Sequence, residues 1–156
     1  MQAKRVSDSI TEQVQIVLPS HSNGAGRLFG GQLMQWIDIV ACVVARRHCG
    51  HNVTTAAIDN LQFKAGAYIN NTLVLIGRIT YVGTTSMEVR VDTYVEDLAG
   101  IRKPVNRAYL VIVAIDDSGI PTEVPRLILE TENERAEWEA GIKRHTLRCD
   151  RRKDGY

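Results

Sequence analysis

Hydrophobic and polar residues alternate along much of the chain, which is the pattern of a β-strand with one buried face. The alternation is clearest in residues 86–96, where Met87, Val89 and Val91 are separated by charged residues. Stretches rich in glycine, proline, serine and asparagine separate this segment from others of similar character. The pattern therefore predicts strands at residues 10–18, 53–63, 71–82, 86–96 and 105–115, with a loop at residues 98–104.

Between the first two strands, residues 31–48 are predicted to form a helix. Within residues 33–45 only Gln35 and Asp38 are polar, so apolar side chains cover every side of this helix. A helix that is apolar all round is buried all round. Because one sheet of a short chain can cover only part of it, we infer that a second copy of the chain covers the rest.

A second helix is predicted near the C-terminus. Residues 133–145 are rich in Glu, Arg and Ala, and the charged residues 148–156 are expected to fray. The order of elements is thus β-α-β-β-β-β followed by a helix. Strands joined by short turns form antiparallel sheets, so the predicted fold class is α+β, with a helix packed on one antiparallel sheet.

Composition narrows the possible functions. The chain has 156 residues and a formal net charge of +1, which gives no reason to expect nucleic acid or an anionic membrane as a partner. Its three cysteines, Cys42, Cys49 and Cys149, have neither a metal-ligand spacing nor a disulfide pattern, so no metal site is predicted. The sequence contains no apolar leader segment and no apolar run of about 18 residues, and we therefore expect a cytoplasmic protein.

Asp38 is the unusual residue of the first helix, because it lies at the margin of the apolar stripe. A carboxylate that loses water there needs a hydrogen-bond partner, an ion pair or a raised pKa. The pattern leaves two interpretations open. Asp38 is either a structural residue, bound to the backbone or to an arginine such as Arg46, or a general base or nucleophile.

Glycines open the same helix. Gly26, Gly30 and Gly31 precede or begin it, and glycine lets a ligand approach the free N–H groups of a helix start, which favour an anion or oxyanion. Taken alone, these glycines are better explained by a tight turn or close packing. Asp38 follows Gly31 by seven residues, roughly 10 Å along a helix. The helix start and Asp38 can therefore belong to one site only if the substrate is extended or a second subunit contributes.

Residues 23–38, which read NGAGRLFGGQLMQWID, resemble a motif of the acyl-CoA hydrolases: an asparagine, a spaced glycine, a Gly-Gly pair and a final acidic residue. Residues 83–89, GTTSMEV, resemble a turn of the same family, and residues 53–63 resemble its V-V-T strand. The resemblance spans residues 16–115 of the chain. The family includes the brain-type acyl-CoA hydrolase and short bacterial single-domain relatives. One departure is Ile39, where many relatives have glutamate after the aspartate.

The resemblance implies a hot-dog fold, in which a curved antiparallel sheet wraps around a long central helix, here followed by a C-terminal helix. On this basis residues 1–125 form the thioesterase domain and residues 126–156 a helical tail. Members of the family pair into dimers with active sites at the interface, and often assemble further as trimers of dimers. The implied partners are an acyl-CoA substrate and further copies of the chain, up to a hexamer, with no nucleic acid and no membrane.

The implied reaction is hydrolysis of acyl-CoA to a free fatty acid and coenzyme A. By position, Asp38 would be the general base or the nucleophile, and Asn23 of the facing subunit would orient water or the carbonyl group. The backbone N–H groups of Gly30 and Gly31 would stabilise the oxyanion. No cofactor is implied, since coenzyme A is part of the substrate and product. The residues expected near the coenzyme A arm or the subunit contact are Thr84, Thr85 and Ser86.

Two other functions fit part of the sequence. A hot-dog protein could bind acyl-CoA without turnover, but a pure binder has no need of both Asn23 and Asp38. A hot-dog hydratase would use a histidine paired with a carboxylate, and no histidine lies in the helix motif. Release of thiol from acyl-CoA separates hydrolysis from both alternatives. The candidate partners for the coenzyme A phosphates are Lys64, Arg107, Lys143, Arg144 and Arg148.

Overall fold

The structure is a computed structural model that describes residues 1–155, apart from the side chain of Asn60. Within this range the chain forms seven strands, two long helices and two short 3₁₀ turns. The strands and long helices are β1 (Lys4–Arg5), β2 (Thr11–Ile16), α1 (Gly30–Cys49), β3 (Asn52–Phe63), β4 (Thr72–Val82), β5 (Ser86–Glu96), β6 (Arg102–Ile115), β7 (Leu127–Ile128) and α2 (Glu132–Lys153).

Five of the strands form one antiparallel sheet in the order β2-β4-β5-β6-β3. This sheet curls around α1, and the short strands β1 and β7 pair in parallel as a separate ribbon. The arrangement confirms the predicted α+β class and the hot-dog fold, with α2 as the C-terminal helix. Strands β2 and β3 are the two edges of the sheet, and β3 is the strand that directly follows α1.

The core lies between α1 and the concave face of the sheet. Alternate residues of the central strands, including Leu75, Val89 and Leu110, are fully buried against the apolar side of α1. Burial of each such side chain stabilises the fold by about 1.5–3 kcal/mol. Gly77 of β4 lets the helix approach closely, because a Cβ there would lie only 2.8 Å from Cγ1 of Val40.

The second helix is longer than predicted. It was expected over residues 133–145 with a frayed end, yet α2 continues to Lys153, while Tyr156 lies outside the described residues. Its start is fixed by Thr131, whose hydroxyl accepts a hydrogen bond from the backbone N–H of Glu134. Its last turns are held by ion pairs with the convex face of the sheet, chiefly between Arg148 and Asp59. Two of the charges that suggested fraying, Arg148 and Arg151, are therefore tertiary contacts.

The predicted loop at residues 98–104 is shorter in the structure. The side chain of Asp97 accepts hydrogen bonds from the backbone of Ala99 and Ile101 and closes a tight turn, so β6 already begins at Arg102. Pro104 lies inside β6, where proline cannot donate to a neighbouring strand. The pairing with β5 shifts register between Thr93 and Tyr94, opposite this proline, which accommodates the missing donor.

Part of α1 is not covered by its own sheet. Met34 and Ile39 are 39% and 46% exposed, although the segment is apolar on every side. Phe29 and Phe63, near the start of the helix, are also more than half exposed. One protomer therefore does not bury the helix completely. No helix in the described part of the chain is long and apolar enough to cross a membrane.

Candidate active site

Asp38 lies on α1 at the side that faces the edge strand β3. The hydroxyl of Thr55 on β3 donates a hydrogen bond to Oδ1 of Asp38 at 2.5 Å. The thiol of Cys42, one helical turn along α1, lies 4.0 Å from the same oxygen. Among the described residues Asp38 forms no ion pair, so the structure excludes one of the alternatives considered for it, an ion pair with Arg46. One carboxylate oxygen is thus fixed by neutral donors, whereas no hydrogen bond within the described part of the chain engages Oδ2.

Thr55 is a site residue that the sequence interpretation missed. Its segment was recognised as a family strand, but no role was given to its hydroxyl. The strand pairing shifts register between Thr55 and Ala57, at a bulge in β3. Thr55 precedes this bulge and, by the ordinary alternation of a strand, faces α1 while its neighbour Thr54 is exposed.

Cys42 completes the surroundings of the carboxylate. Its sulfur lies 3.6 Å from the Thr55 hydroxyl oxygen as well as near Asp38. Burial, aided by the negative charge of Asp38, raises the pKa of the Cys42 thiol. The thiol is therefore neutral and acts as a weak donor to the carboxylate. The sequence interpretation, which counted Cys42 among the apolar positions of the helix, did not identify this contact.

Asn23 lies in the exposed turn before α1. Its side-chain oxygen accepts hydrogen bonds from the backbone N–H groups of Ala25 and Arg27, at 3.0 and 3.3 Å. Because both partners are donors, they fix which end of the amide is the oxygen. The amide nitrogen makes no hydrogen bond with any described residue. Asn23 therefore presents an N–H donor, which suits a carbonyl oxygen or an oxyanion.

The start of α1 is uncapped. Phe29 precedes the helix and its side chain makes no capping hydrogen bond, and no acidic residue lies in the first turn. The backbone N–H groups of Gly30 and Gly31 have no partner among the described residues, as is usual at a helix N-terminus. They and the helix dipole favour negative charge at this point.

A cavity of about 440 Å³ joins Asn23 to this helix start. Gly30 contributes to its wall, and Arg27 and Lys64 bring positive charge to it. Its apolar wall comes from Leu28, Leu33, Phe63 and Val105. An elongated molecule with an apolar part and a group that accepts hydrogen bonds would suit such a cavity.

Asp38 does not line this cavity. It follows Gly30 by eight residues, about 12 Å along α1. The protomer brings Asn23 together with Gly30, and separately brings Asp38 together with Thr55. It does not join the two pairs in one cavity.

The three residues of the predicted coenzyme A-binding turn also line different cavities. Thr85 and Ser86 line a cavity beside α2, whereas Thr84 lines a different cavity near Arg126. None of the three lines the cavity with Asn23. Among the described residues, no group of three or more histidine, cysteine or acidic side chains is arranged to hold a metal ion.

Comparison with known sequences gives a consistent relationship. Residues 25–100 match the thioesterase superfamily. Over 138 residues the chain is 36% identical to the uncharacterized acyl-CoA thioester hydrolase YkhA of Bacillus subtilis, a match that covers 88% of this chain and 80% of that protein. It is also 31% identical over 140 residues to the acetyl-coenzyme A thioesterase of Mus musculus, and spans 24% of that longer protein.

Solved structures are similar over nearly the whole chain. An apo-hexameric acyl-CoA thioesterase superposes with a TM-score of 0.92 at 37% identity, and the match covers 97% of each chain. An acyl-CoA hydrolase of Staphylococcus aureus, in complex with butyryl coenzyme A, coenzyme A and coenzyme A disulfide, has a TM-score of 0.92 at 31% identity, with 97% of this chain and 93% of that chain covered. Similar structures exist for variants of that hydrolase in which an aspartate, an asparagine or a threonine is replaced by alanine.

Proposed function

The chain belongs to the acyl-CoA thioester hydrolases of the thioesterase superfamily, and on that premise we propose that it hydrolyses acyl-CoA with Asp38 and Asn23 in one active site. The observation that carries this proposal is the Asp38 carboxylate, held through Oδ1 by Thr55 with Oδ2 left to act. A carboxylate that a neutral donor orients, and that no described arginine or lysine neutralises, suits a general base or nucleophile.

The spacing of the substituted residues in the Staphylococcus aureus hydrolase supports the assignment. The asparagine and the aspartate replaced there are fifteen positions apart, as Asn23 and Asp38 are here. The replaced threonine follows that aspartate by seventeen positions, as Thr55 follows Asp38. All three residue types thus recur at the same spacing, and Thr55 joins the proposed site for this reason.

The proposed reaction uses the polar groups of the site that have no hydrogen-bond partner among the described residues. Oδ2 of Asp38 either takes a proton from water or attacks the thioester carbonyl carbon directly. The amide nitrogen of Asn23 and the N–H groups of Gly30 and Gly31 donate hydrogen bonds to the oxyanion that forms. In the first route water attacks the carbonyl carbon, the carbon–sulfur bond breaks, and the proton held by Asp38 passes to the departing thiolate. In the second route the carbon–sulfur bond breaks to leave an acyl anhydride on Asp38, which water then hydrolyses, and the proton released from that water passes to the thiolate. The net reaction adds water to give a carboxylic acid and coenzyme A, with no cofactor required.

We further propose that the site is shared by two copies of the chain. Asp38 of one copy would face Asn23 and the helix start of the other, which removes the separation of about 12 Å within one protomer. The exposed apolar side chains of α1, Met34 and Ile39, would be buried in the same contact. A hexamer built as a trimer of dimers is the proposed assembly, since a solved relative is named as hexameric. A cytoplasmic location is likewise proposed, as a relative from rat is named cytosolic.

The first experiment measures thiol release from acyl-CoAs of increasing chain length. Wild type is compared with Asp38→Asn and with Asp117→Asn, a matched control in an exposed turn. We expect turnover by wild type and the control only. If a folded wild-type protein binds coenzyme A but turns over no acyl-CoA, the chain is a binding protein and the proposed function is wrong.

Mixing two inactive variants tests the shared site. In a dimer of Asp38→Asn with Asn23→Ala, one shared site carries both changes and the other carries neither. Random reassembly of equal amounts should therefore restore roughly a quarter of wild-type activity. If each site lay within one chain, every site in the mixture would contain one defect, and no activity would return.

A further inference from the structure

A third polar side chain belongs to the contact between α1 and β3 that holds Asp38. Cys42 lies one helical turn after Asp38 on α1, so the two side chains are neighbours on the helix surface. The Cys42 sulfur is 3.6 Å from the hydroxyl oxygen of Thr55 and 4.0 Å from Oδ1 of Asp38. The Thr55 hydroxyl is itself 2.5 Å from that Oδ1. The three side chains therefore form one connected group, which we call the Asp38 cluster.

The number of hydrogens fixes the direction of the contacts in the Asp38 cluster. A hydroxyl group has one hydrogen to donate, and an ionised carboxylate can only accept. The hydrogen of Thr55 therefore points to Asp38, which leaves the Thr55 oxygen as an acceptor. The contact between Cys42 and Thr55 then uses the hydrogen of the thiol. Burial raises the pKa of the Cys42 thiol, so this hydrogen is retained.

The thiol hydrogen has two acceptors within reach, and the Thr55 oxygen is the nearer of the two. Hydrogen bonds in a chain polarise one another, so a bond donated into the Thr55 oxygen strengthens the bond that this hydroxyl donates to Oδ1 of Asp38. It also restrains rotation of the Thr55 hydroxyl away from the carboxylate. Cys42 thus supports the hydrogen bond that orients Asp38.

The other cysteine of α1 shows what a thiol without this role looks like. Cys49 is buried seven residues further along the helix, and among the described residues its sulfur contacts only backbone atoms of His51. The polar contacts of Cys42 within the described part of the chain are instead with two side chains of the proposed active site. Packing alone does not require those contacts.

We propose that Cys42 is a positioning residue for thioester hydrolysis, whose thiol holds the Thr55 hydroxyl in place for its hydrogen bond to Asp38. This inference deepens the proposed function and rests on it, because positioning affects the rate only if Asp38 is catalytic. The effect of Cys42 passes through Thr55. Loss of the Thr55 hydroxyl should therefore also abolish the effect of Cys42.

The first test is a double-mutant cycle of Cys42→Ala and Thr55→Val, measured by steady-state thiol release from an acyl-CoA. A hydrogen bond from a thiol is weak, so Cys42→Ala should lower kcat about 2- to 5-fold and change KM less. In the Thr55→Val background the same replacement should cause no further loss. Cys42→Ser, which restores a donor, should recover most of kcat. Cys49→Ala is the matched control and should have the kcat of wild type.

Two results of this cycle would overturn the inference. One is an unchanged kcat in Cys42→Ala. The other is an equal loss of kcat in both backgrounds, which would mean that Cys42 acts by packing or directly on Asp38. Circular dichroism and urea denaturation show whether each variant is folded, and Thr55→Ala replaces Thr55→Val in the cycle if the valine variant is not.

A second measurement does not depend on turnover. The S–H stretching band of a cysteine lies in a region of the infrared spectrum that other protein groups leave clear, and it moves to lower frequency when the thiol donates a hydrogen bond. The difference between wild type and Cys42→Ala isolates the Cys42 band. The difference between Thr55→Val and the double variant isolates the same band without the Thr55 hydroxyl. The band should lie at lower frequency in the presence of that hydroxyl.

The two measurements separate failure of the inference from failure of the proposed function. If folded wild type hydrolyses no acyl-CoA, the proposed function is wrong, and a positioning role in hydrolysis is wrong with it. If wild type hydrolyses acyl-CoA but the Cys42 band has the same frequency with and without the Thr55 hydroxyl, only the inference about Cys42 is wrong.

Discussion

Replacing Thr55 by valine removes one hydroxyl group from the proposed site and changes little else. Threonine and valine have similar shapes, so the variant chiefly loses the hydrogen bond to Oδ1 of Asp38. A hydrogen bond to a charged group contributes about 1.5–3 kcal/mol. At about 1.4 kcal/mol for each factor of ten, the bond corresponds to roughly 10- to 150-fold. Since Asp38 is only half-buried, we expect a loss near the lower end, about 10- to 30-fold in kcat.

The assay is steady-state thiol release, with kcat and KM determined separately. Thr55 acts through Asp38 and not on the substrate, so KM should change less than kcat. Thr55→Ser, which restores a hydroxyl group, should recover most of the activity. Thr54→Val, on the exposed neighbour, is the matched control and should be fully active. Equal kcat values for Thr55→Val and wild type would refute the positioning role of this hydrogen bond.

Three further predictions concern stability. Gly77→Ala should lower the free energy of unfolding by about 1–3 kcal/mol, measured by urea denaturation, because its Cβ would lie within 2.9 Å of two buried valine side chains of α1. Glu88→Ala should cost about 3 kcal/mol in the same assay, because it removes the buried carboxylate shared by Arg144 and Arg148, although Arg148 keeps its ion pair with Asp59. An exposed change such as Glu139→Ala should cost little. Burial lowers the pKa of His48, so the unfolded chain binds a proton before the folded protein does as the pH falls through 6.5. The free energy of unfolding should therefore decline in that range. His48→Gln should make this decline shallower.

Features of the fold that depend on neighbouring residues could be predicted from the sequence, whereas features that depend on contacts between distant residues could not. Alternation of apolar residues located β5 to the residue, because that signal is local. It did not show that polar residues of the other face, Glu88 and Asp92, are also buried through ion pairs. The start of β6 was missed, because Pro104 usually marks the end of a strand and here sits opposite a register shift in β5. The end of α2 was missed because Arg148 pairs with Asp59, a residue 89 positions away. No local pattern reveals that contact.

The candidate site shows the same limit more sharply. The sequence pointed to Asp38 because a lone carboxylate on an apolar helix is conspicuous, and to Asn23 through the family motif. It could not point to Thr55, since a threonine in a strand is ordinary and only the packing of β3 on α1 gives its hydroxyl a partner. It also could not show which arginines of α2 pair with Glu88 and which with Asp59, because those ion pairs depend on which carboxylates the sheet places beneath the helix.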